Sequence, residues 1–208
     1  GASARGILAW APPPDHCPFP RPGDATGIPW MDPSENHLRN REKGFLQKMT
    51  SDHENKEKTA VLVLGCPQVP IQTGIALYLI SALRKKGIRT VIAGNRAARS
   101  LVEVSDPERH YVGEVMDIDR YISEIAEKKR DFGFHFIFIH NDAGVSYAAT
   151  VQAITGKTVV ALIYGEHFQE IAGMITFPCE KIAAKAVHNP MPLKNKLDEV
   201  LPWVVSNL

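Results

Sequence analysis

The stretch "TAVLVLGCPQVPIQTGIALYLISALRKKGIRTVIAG", residues 59–94, decides the fold. It opens on a continuous apolar, β-branched-rich run, 59–65, which suits a strand covered on both faces. Pro67 cannot continue an internal ladder, so the strand has to end by Gly65. Pro70 fits the first turn of a helix, where its missing N–H costs nothing. That helix is expected to reach about Lys86 and to stop at Gly87, behind two lysines that complement its dipole. "IRTVIAG" (88–94) then reads as a second strand. Strand, helix and strand in direct succession imply parallel pairing through a right-handed crossover.

The alternation continues to the C-terminus. "RAARSLVEV" (96–104) reads as a short helix and "HYVG" (110–113) as a short third strand. "SDPE" (105–108) is a turn, with Asp106 ahead of proline. Asp117 or Asp119 caps a helix whose Ile118, Tyr121, Ile122 and Ile125 form one stripe. "FHFIFIH" (134–140) is a strand with Phe134, Phe136 and Phe138 on one face and His140 at the end of that stripe. "AGVSYAATVQAIT" (143–155) is a small-residue helix capped by Asp142 and stopped by Gly156. "TVVALIY" (158–164), a helix near 167–175, the strand "KIAAKAV" (181–187) and a final helix set up by Asn189-Pro190 complete the series. The expected fold is a three-layer α/β/α sandwich around a mainly parallel, doubly wound, Rossmann-like sheet of five to six strands.

Composition changes near residue 58. Eight of the fifteen prolines fall between Pro12 and Pro33, a density that leaves no helical or alternating period. Residues 34–57 are polar and charged with few apolar anchors. The reading is therefore a disordered or loosely attached extension over 1–57, in whole or part upstream of a native start at Met31 or Met49, and one α/β domain over 58–208. A net charge of +1 gives no global field that would favour nucleic acid or an anionic membrane. No apolar run approaches the roughly 20 residues of a membrane span. Cys17, Cys66 and Cys179 are widely spaced with no C-x-x-C pair, which suits a reducing cytoplasm and argues against a disulfide framework.

Ligands in open parallel sheets bind beyond the carboxyl ends of the strands. Those ends carry Gly65, Cys66 and Gln68, then Asn95, then Asn141 and Asp142 beside His140, and finally His188 and Asn189. Tyr147 lies one turn into its helix. These are the candidate ligand-binding residues. Cys66, His140 and His188 are also the candidate catalytic groups, since a thiol at a helix N-terminus still needs a base to become a nucleophile. The plainer alternative for Cys66 is a small apolar side chain packed under its loop. "HND" (140–142) and "HNP" (188–190) read equally well as helix caps. No close-spaced ligand pair supports a metal, and no metal is assigned. Neither G-x-G-x-x-G nor G-x-x-x-x-G-K-[ST] occurs, nor the D-x-H-x-x-G of corrinoid binding, so no cofactor is assigned.

The blocks "VLGCPQVPIQ", "GNRAARSLVEVSDPE", "EVMDID", "NDAGVSYAAT" and "AAKAVHNPMPLKNKLDEVL" resemble, in order, a small uncharacterised α/β family of methanogenic archaea. The resemblance spans residue 59 to the C-terminus. It implies a compact three-layer domain in the cytoplasm of a methanogen, with no established activity. It leaves two functions in competition. One is a binding or regulatory module for a small anionic molecule or for an enzyme of methanogenesis, with self-association compatible. The other is a Cys-dependent transfer or redox enzyme using Cys66 with His140 or His188.

Because no apolar period in the head completes the core, a chain lacking residues 1–57 is expected to keep its cooperative thermal transition. Loss of that transition in calorimetry would show that the head belongs to the folded unit.

Overall fold

The computed structural model describes residues 59–206; the reading of the head, including Cys17, lies outside the described residues. Six strands alternate with six helices. They are β1 (Thr59–Leu64), α1 (Ile71–Arg84), β2 (Arg89–Gly94), α2 (Arg96–Ser105), β3 (Glu114–Asp117) and α3 (Ile118–Ala126). There follow β4 (Phe134–Ile139), α4 (Asp142–Thr155), β5 (Val159–Gly165), α5 (Phe168–Met174), β6 (Glu180–Lys185) and α6 (Met191–Ser206). All six strands pair in parallel, in the order β3-β2-β1-β4-β5-β6. The order reverses between β1 and β4, which makes the sheet doubly wound.

The two faces of the sheet divide by residue parity, as the two-residue pleat requires. Leu62, Leu64, Phe134, Phe136 and Phe138 pack under α1, α2 and α6. Val61, Val63, Ile137 and Ile139 pack under α3, α4 and α5. The phenylalanine stripe of β4 thus faces α1 and α6, and α4 covers the other face of the same strand. Gly144 lets α4 come close: a Cβ there would lie 3.1 Å from both Cα and Cγ2 of Ile139. Gly87 ends α1 in the left-handed region at φ 77°, as its position after two lysines implies.

The third strand is displaced from its expected place. "HYVG" (110–113) is loop, and β3 begins at Glu114. The cause is the buried carboxylate of Asp106. It accepts the backbone N–H groups of His110, Tyr111 and Val112 at 2.9, 2.9 and 2.8 Å. Those donors are consumed by a side chain and are lost to the ladder.

One polar pair sits inside the apolar layer between β4 and α3. Tyr121 and His135 are fully buried, and the Tyr121 hydroxyl lies 2.6 Å from His135 Nδ1. Burial holds the phenol neutral, so the hydroxyl donates and the imidazole carries its proton on Nε2. Burial, with a smaller push from Lys157 and an opposing one from Asp131, drives the His135 pKa down to about 4.

A depressed base destabilises the fold only where the unfolded chain is protonated and the folded one is not. His135 is therefore expected to contribute full stability above pH 6.5 and to lose roughly 3 kcal/mol of it as the pH falls to about 4. Urea titrations across that window check this. The double substitution Tyr121→Phe, His135→Leu should flatten the pH dependence by that amount while leaving the carboxylate contribution in place.

Candidate functional site

The reversal of strand order puts the β1–α1 loop beside the β4–α4 loop, so the switch point, where open α/β sheets form their ligand crevice, lies between Gly65–Pro70 and His140–Asn141. Proline shapes the first loop. Gln68 N–H bonds to the Cys66 carbonyl at 2.8 Å around Pro67, and Pro70 stands at the helix entry with φ −57° and ψ −30°. The loop is anchored from below: Gln72, only 1% exposed, donates to the Gly65 carbonyl at 3.1 Å. Its side-chain oxygen accepts from the Tyr164 hydroxyl of β5 at 2.6 Å.

His140 joins the two loops. Its Nε2 lies 3.3 Å from Gln68 Oε1 and 3.4 Å from Asn141 Nδ2, and its Nδ1 lies 3.5 Å from the Tyr164 hydroxyl. Its ring lies beside that of Tyr164, with centroids 5.7 Å apart. Burial lowers its pKa, which favours the neutral ring. The donor–acceptor accounting then conflicts. Asn141 is fixed with its amide nitrogen towards His140, because its oxygen accepts Gly144 N–H at 3.1 Å. Tyr164 has given its proton to Gln72. A proton on Nδ1 suits Tyr164 and Asn141 but leaves two lone pairs facing each other at Gln68. A proton on Nε2 suits Gln68 and opposes the Asn141 amide. With Gln68 presenting its oxygen, neither tautomer satisfies every member. Gln68 is exposed and free to turn.

Cys66 is exposed, and among the described residues its sulfur makes no hydrogen bond to an imidazole. Asn95 flanks the crevice from β2, and its side chain caps α2 by accepting Ala98 N–H at 2.9 Å. Asp142 is exposed at the first position of α4, where its carboxylate meets Ala143 N–H at 3.0 Å. The cap of α4 is therefore Asn141 and not Asp142, since only Asn141 has the extended backbone from which a side chain reaches the third amide. Tyr147 is half-buried and packs against the α3–α4–α5 layer. His188 and Asn189 follow β6, three strand spacings or about 14 Å from β1. His188 is exposed there, and Asn189 accepts Met191 N–H at 3.0 Å. The sheet thus brings together Gly65, Cys66, Gln68, His140 and Asn141, with Asn95 and Asp142 at the rim, and leaves His188, Asn189 and Tyr147 apart.

Two participants escape a reading of strand ends. Gln72 shares the buried stripe of α1 with Ala76, Leu79 and Leu83, so its helical position announces a buried amide in need of partners. Arg99 donates to the Gly94 carbonyl at 3.1 Å and pairs with Asp117 at 3.0 Å, tying the ends of β2 and β3. Among the described residues no three His, Cys, Asp or Glu side chains gather closely enough to hold a metal ion. No helix among them is long and apolar enough to cross a membrane.

Comparison with known proteins agrees with this architecture. The chain belongs to the family described as Domain of unknown function (DUF1890), whose model matches residues 61–200. It is similar to the uncharacterised protein MJ0452 of Methanocaldococcus jannaschii, 33% identical over 147 residues, covering 69% of this chain and 97% of the relative. It is also similar to the solved structure of MT0777, 38% identical with a TM-score of 0.65, covering 69% of this chain and 97% of that one. The resemblance to an uncharacterised archaeal family and the α/β fold both hold. The family description carries no activity, so the function has to be argued from the site.

The two neighbouring side chains at α4 separate by stability. Asn141→Ala is expected to cost about 1 kcal/mol through the lost cap, and Asp142→Ala about half of that or less, through the dipole alone. Chemical denaturation of the two variants measures the difference; equal losses would return the cap to Asp142.

Proposed function

We propose that the protein is a binding module that takes a small, singly charged carboxylate ligand in the crevice between the β1–α1 and β4–α4 loops. The observation that carries this reading is the unmatched cluster of Gln68, His140 and Asn141. Its three imidazole contacts are long, at 3.3–3.5 Å, and with the Gln68 oxygen facing the ring no tautomer completes them. A ligand carboxylate relieves the mismatch by accepting from Asn141 Nδ2, from the imidazole and from a turned Gln68 amide.

Local electrostatics limit the ligand's charge. The N-termini of α1, α2 and α4 open towards this edge, each favouring an anion by about 0.3–1 kcal/mol. The exposed Asp142 carboxylate at the rim opposes a second negative charge. Pro67 and Pro70 remove backbone donors that a phosphate loop would need. Cys66 is a contact residue in this reading. A nucleophile would want a base within hydrogen-bonding reach, and the exposed sulfur has none among the described residues. A role in regulation follows from ligand binding without chemistry.

The test is a titration of the isotopically labelled protein with acetate, malonate and longer mono- and dicarboxylates, read by amide chemical shifts. Saturable shifts are expected at Gly65–Gln68 and Asn141–Gly144, with His140→Ala weakening binding about tenfold. Bound ligand should slow iodoacetamide alkylation of Cys66 and leave that of half-buried Cys179 unchanged. A Cys66 alkylation rate that stays high well below the pH at which ordinary thiols ionise would overturn the reading in favour of Cys-dependent chemistry.

A further inference from the structure

The opposite, amino-terminal edge of the sheet carries a feature that the crevice does not use. The end of α1, the start of β2 and the loop before β3 border a half-open cavity of about 320 Å³. Arg84, Arg89 and Arg109 line it, and no acidic residue does. None of the three guanidinium groups forms an ion pair among the described residues. Of the neighbouring acids, Asp106 is committed to three backbone amides and Glu114 to Arg130, while Glu108 is exposed outside the cavity lining.

The loop that supplies Arg109 is held in place. The Asp106 carboxylate, 6% exposed, grips the amides of His110, Tyr111 and Val112. The Val112 amide first, then those of Tyr111 and His110, holds its carboxyl below the usual carboxylate range, so the grip persists at neutral pH. Arg109 N–H bonds to the Asp106 carbonyl at 3.0 Å, and Arg84 donates to the His110 carbonyl from α1. Arg109 sits in the left-handed region at φ 51°. Glycine or asparagine occupies that region with less strain, so the loop carries an arginine at some conformational cost, as the turn at Lys128 (φ 56°) carries a lysine.

Three arginines around one cavity, with no carboxylate in its lining, make a field that favours a multiply charged anion. The planar guanidinium fork matches phosphate oxygens two at a time. The cavity volume lies in the range of small-molecule sites. Its remaining wall comes from Ile88, Thr90, Val112 and Gly113, with Tyr111 half-exposed beside them.

We propose that this cavity binds the phosphate group of a small phosphorylated organic molecule, clamped by Arg84, Arg89 and Arg109, with Tyr111 lying against the organic part. The site is separate from the crevice, and either can fail without the other. Arginine at 109 is then the reason for the strained backbone. The buried Asp106 organises the clamp, although it touches no ligand.

The experiment is a titration of the full chain at constant ionic strength with inorganic phosphate, pyrophosphate and phenyl phosphate, read by amide and arginine Nε shifts. Saturable shifts are expected at Arg84, Arg89 and 109–113, with phenyl phosphate binding more tightly than inorganic phosphate. Arg89→Gln and Arg109→Gln should each weaken binding about tenfold, as loss of one charge-assisted contact does. Tyr111→Ser should erase the preference for phenyl phosphate over inorganic phosphate. Lys85→Gln, an exposed change at the C-cap of α1 that does not line the cavity, should leave binding within about twofold. Arg109→Gly keeps the left-handed turn without strain, so weakened phosphate binding in a variant of unreduced stability assigns the role to the guanidinium. Shifts that fail to saturate, or that fall equally for Lys85→Gln, would reduce the site to a diffuse basic surface and overturn the proposal. Tighter binding of a single-stranded oligonucleotide than of phenyl phosphate would overturn it too.

Discussion

Strand β1 is hydrogen-bonded on both edges and covered on both faces, and this double confinement organises the molecule. It pairs with β2 on one side and β4 on the other, and every residue from Thr59 to Leu64 is buried. A strand so placed has to be apolar at every position, because neither parity faces water. Each Val or Leu in it contributes roughly 1.5–3 kcal/mol by burial. It also has to stop abruptly, since the chain leaving it must turn back over the sheet as α1. The segment Gly65-Cys66-Pro67 makes that stop. The sheet grows outward from β1 in both directions, so the crevice beside it is a consequence of the core's construction.

Such confinement is legible in a sequence, and so most of the fold was. The β1–α1–β2 unit shows itself as an unbroken apolar run, a proline-started helix and a glycine stop, all decided within the chain itself. The same holds for the phenylalanine stripe of β4. Features that depend on contacts between distant residues stayed hidden. The segment 110–113 has the composition of a strand, and only the folded position of the Asp106 carboxylate removes its donors from the sheet. Asn141 and Asp142 are both good cap residues, and the choice between them rests on one backbone angle. His188 ends a parallel strand like His140, yet strand order, which sequence does not state, puts three strand spacings between it and β1.

Polar groups inside the sheet layers show how strictly the accounting is enforced. On one face Gln72 and Tyr164 use each other and the Gly65 carbonyl, so a buried amide is matched at both ends. On the other, Tyr121 matches only one nitrogen of His135, and Nε2 has no partner among the described residues. A buried donor left without a partner costs about 1–3 kcal/mol unless water reaches it. His135 borders a cavity of about 270 Å³ shared with Lys157 and Asp131, but its Nε2 is shut off from solvent there. The two networks therefore differ in kind: one is matched at both ends under the β1–α1 loop, the other leaves one buried nitrogen unmatched.

Charge separates the two edges of the sheet more sharply than the composition suggests. The chain as a whole carries +1, which conceals a local imbalance. At the carboxyl edge, Arg99 is paired with Asp117 and Lys185 with Glu166, so the basic groups there are matched by acids. At the amino edge three arginines share a concave surface with no carboxylate in its lining. Ion pairs of the first kind screen themselves and exert little field beyond a few ångströms, whereas unpaired like charges in a concavity reinforce one another. Keeping such charges together costs stability unless something offsets their repulsion. The buried Asp106 does part of this, its negative charge lying behind the loop that carries Arg109. The phosphate group proposed for this cavity would offset the remainder, which is why its binding should respond to each arginine separately.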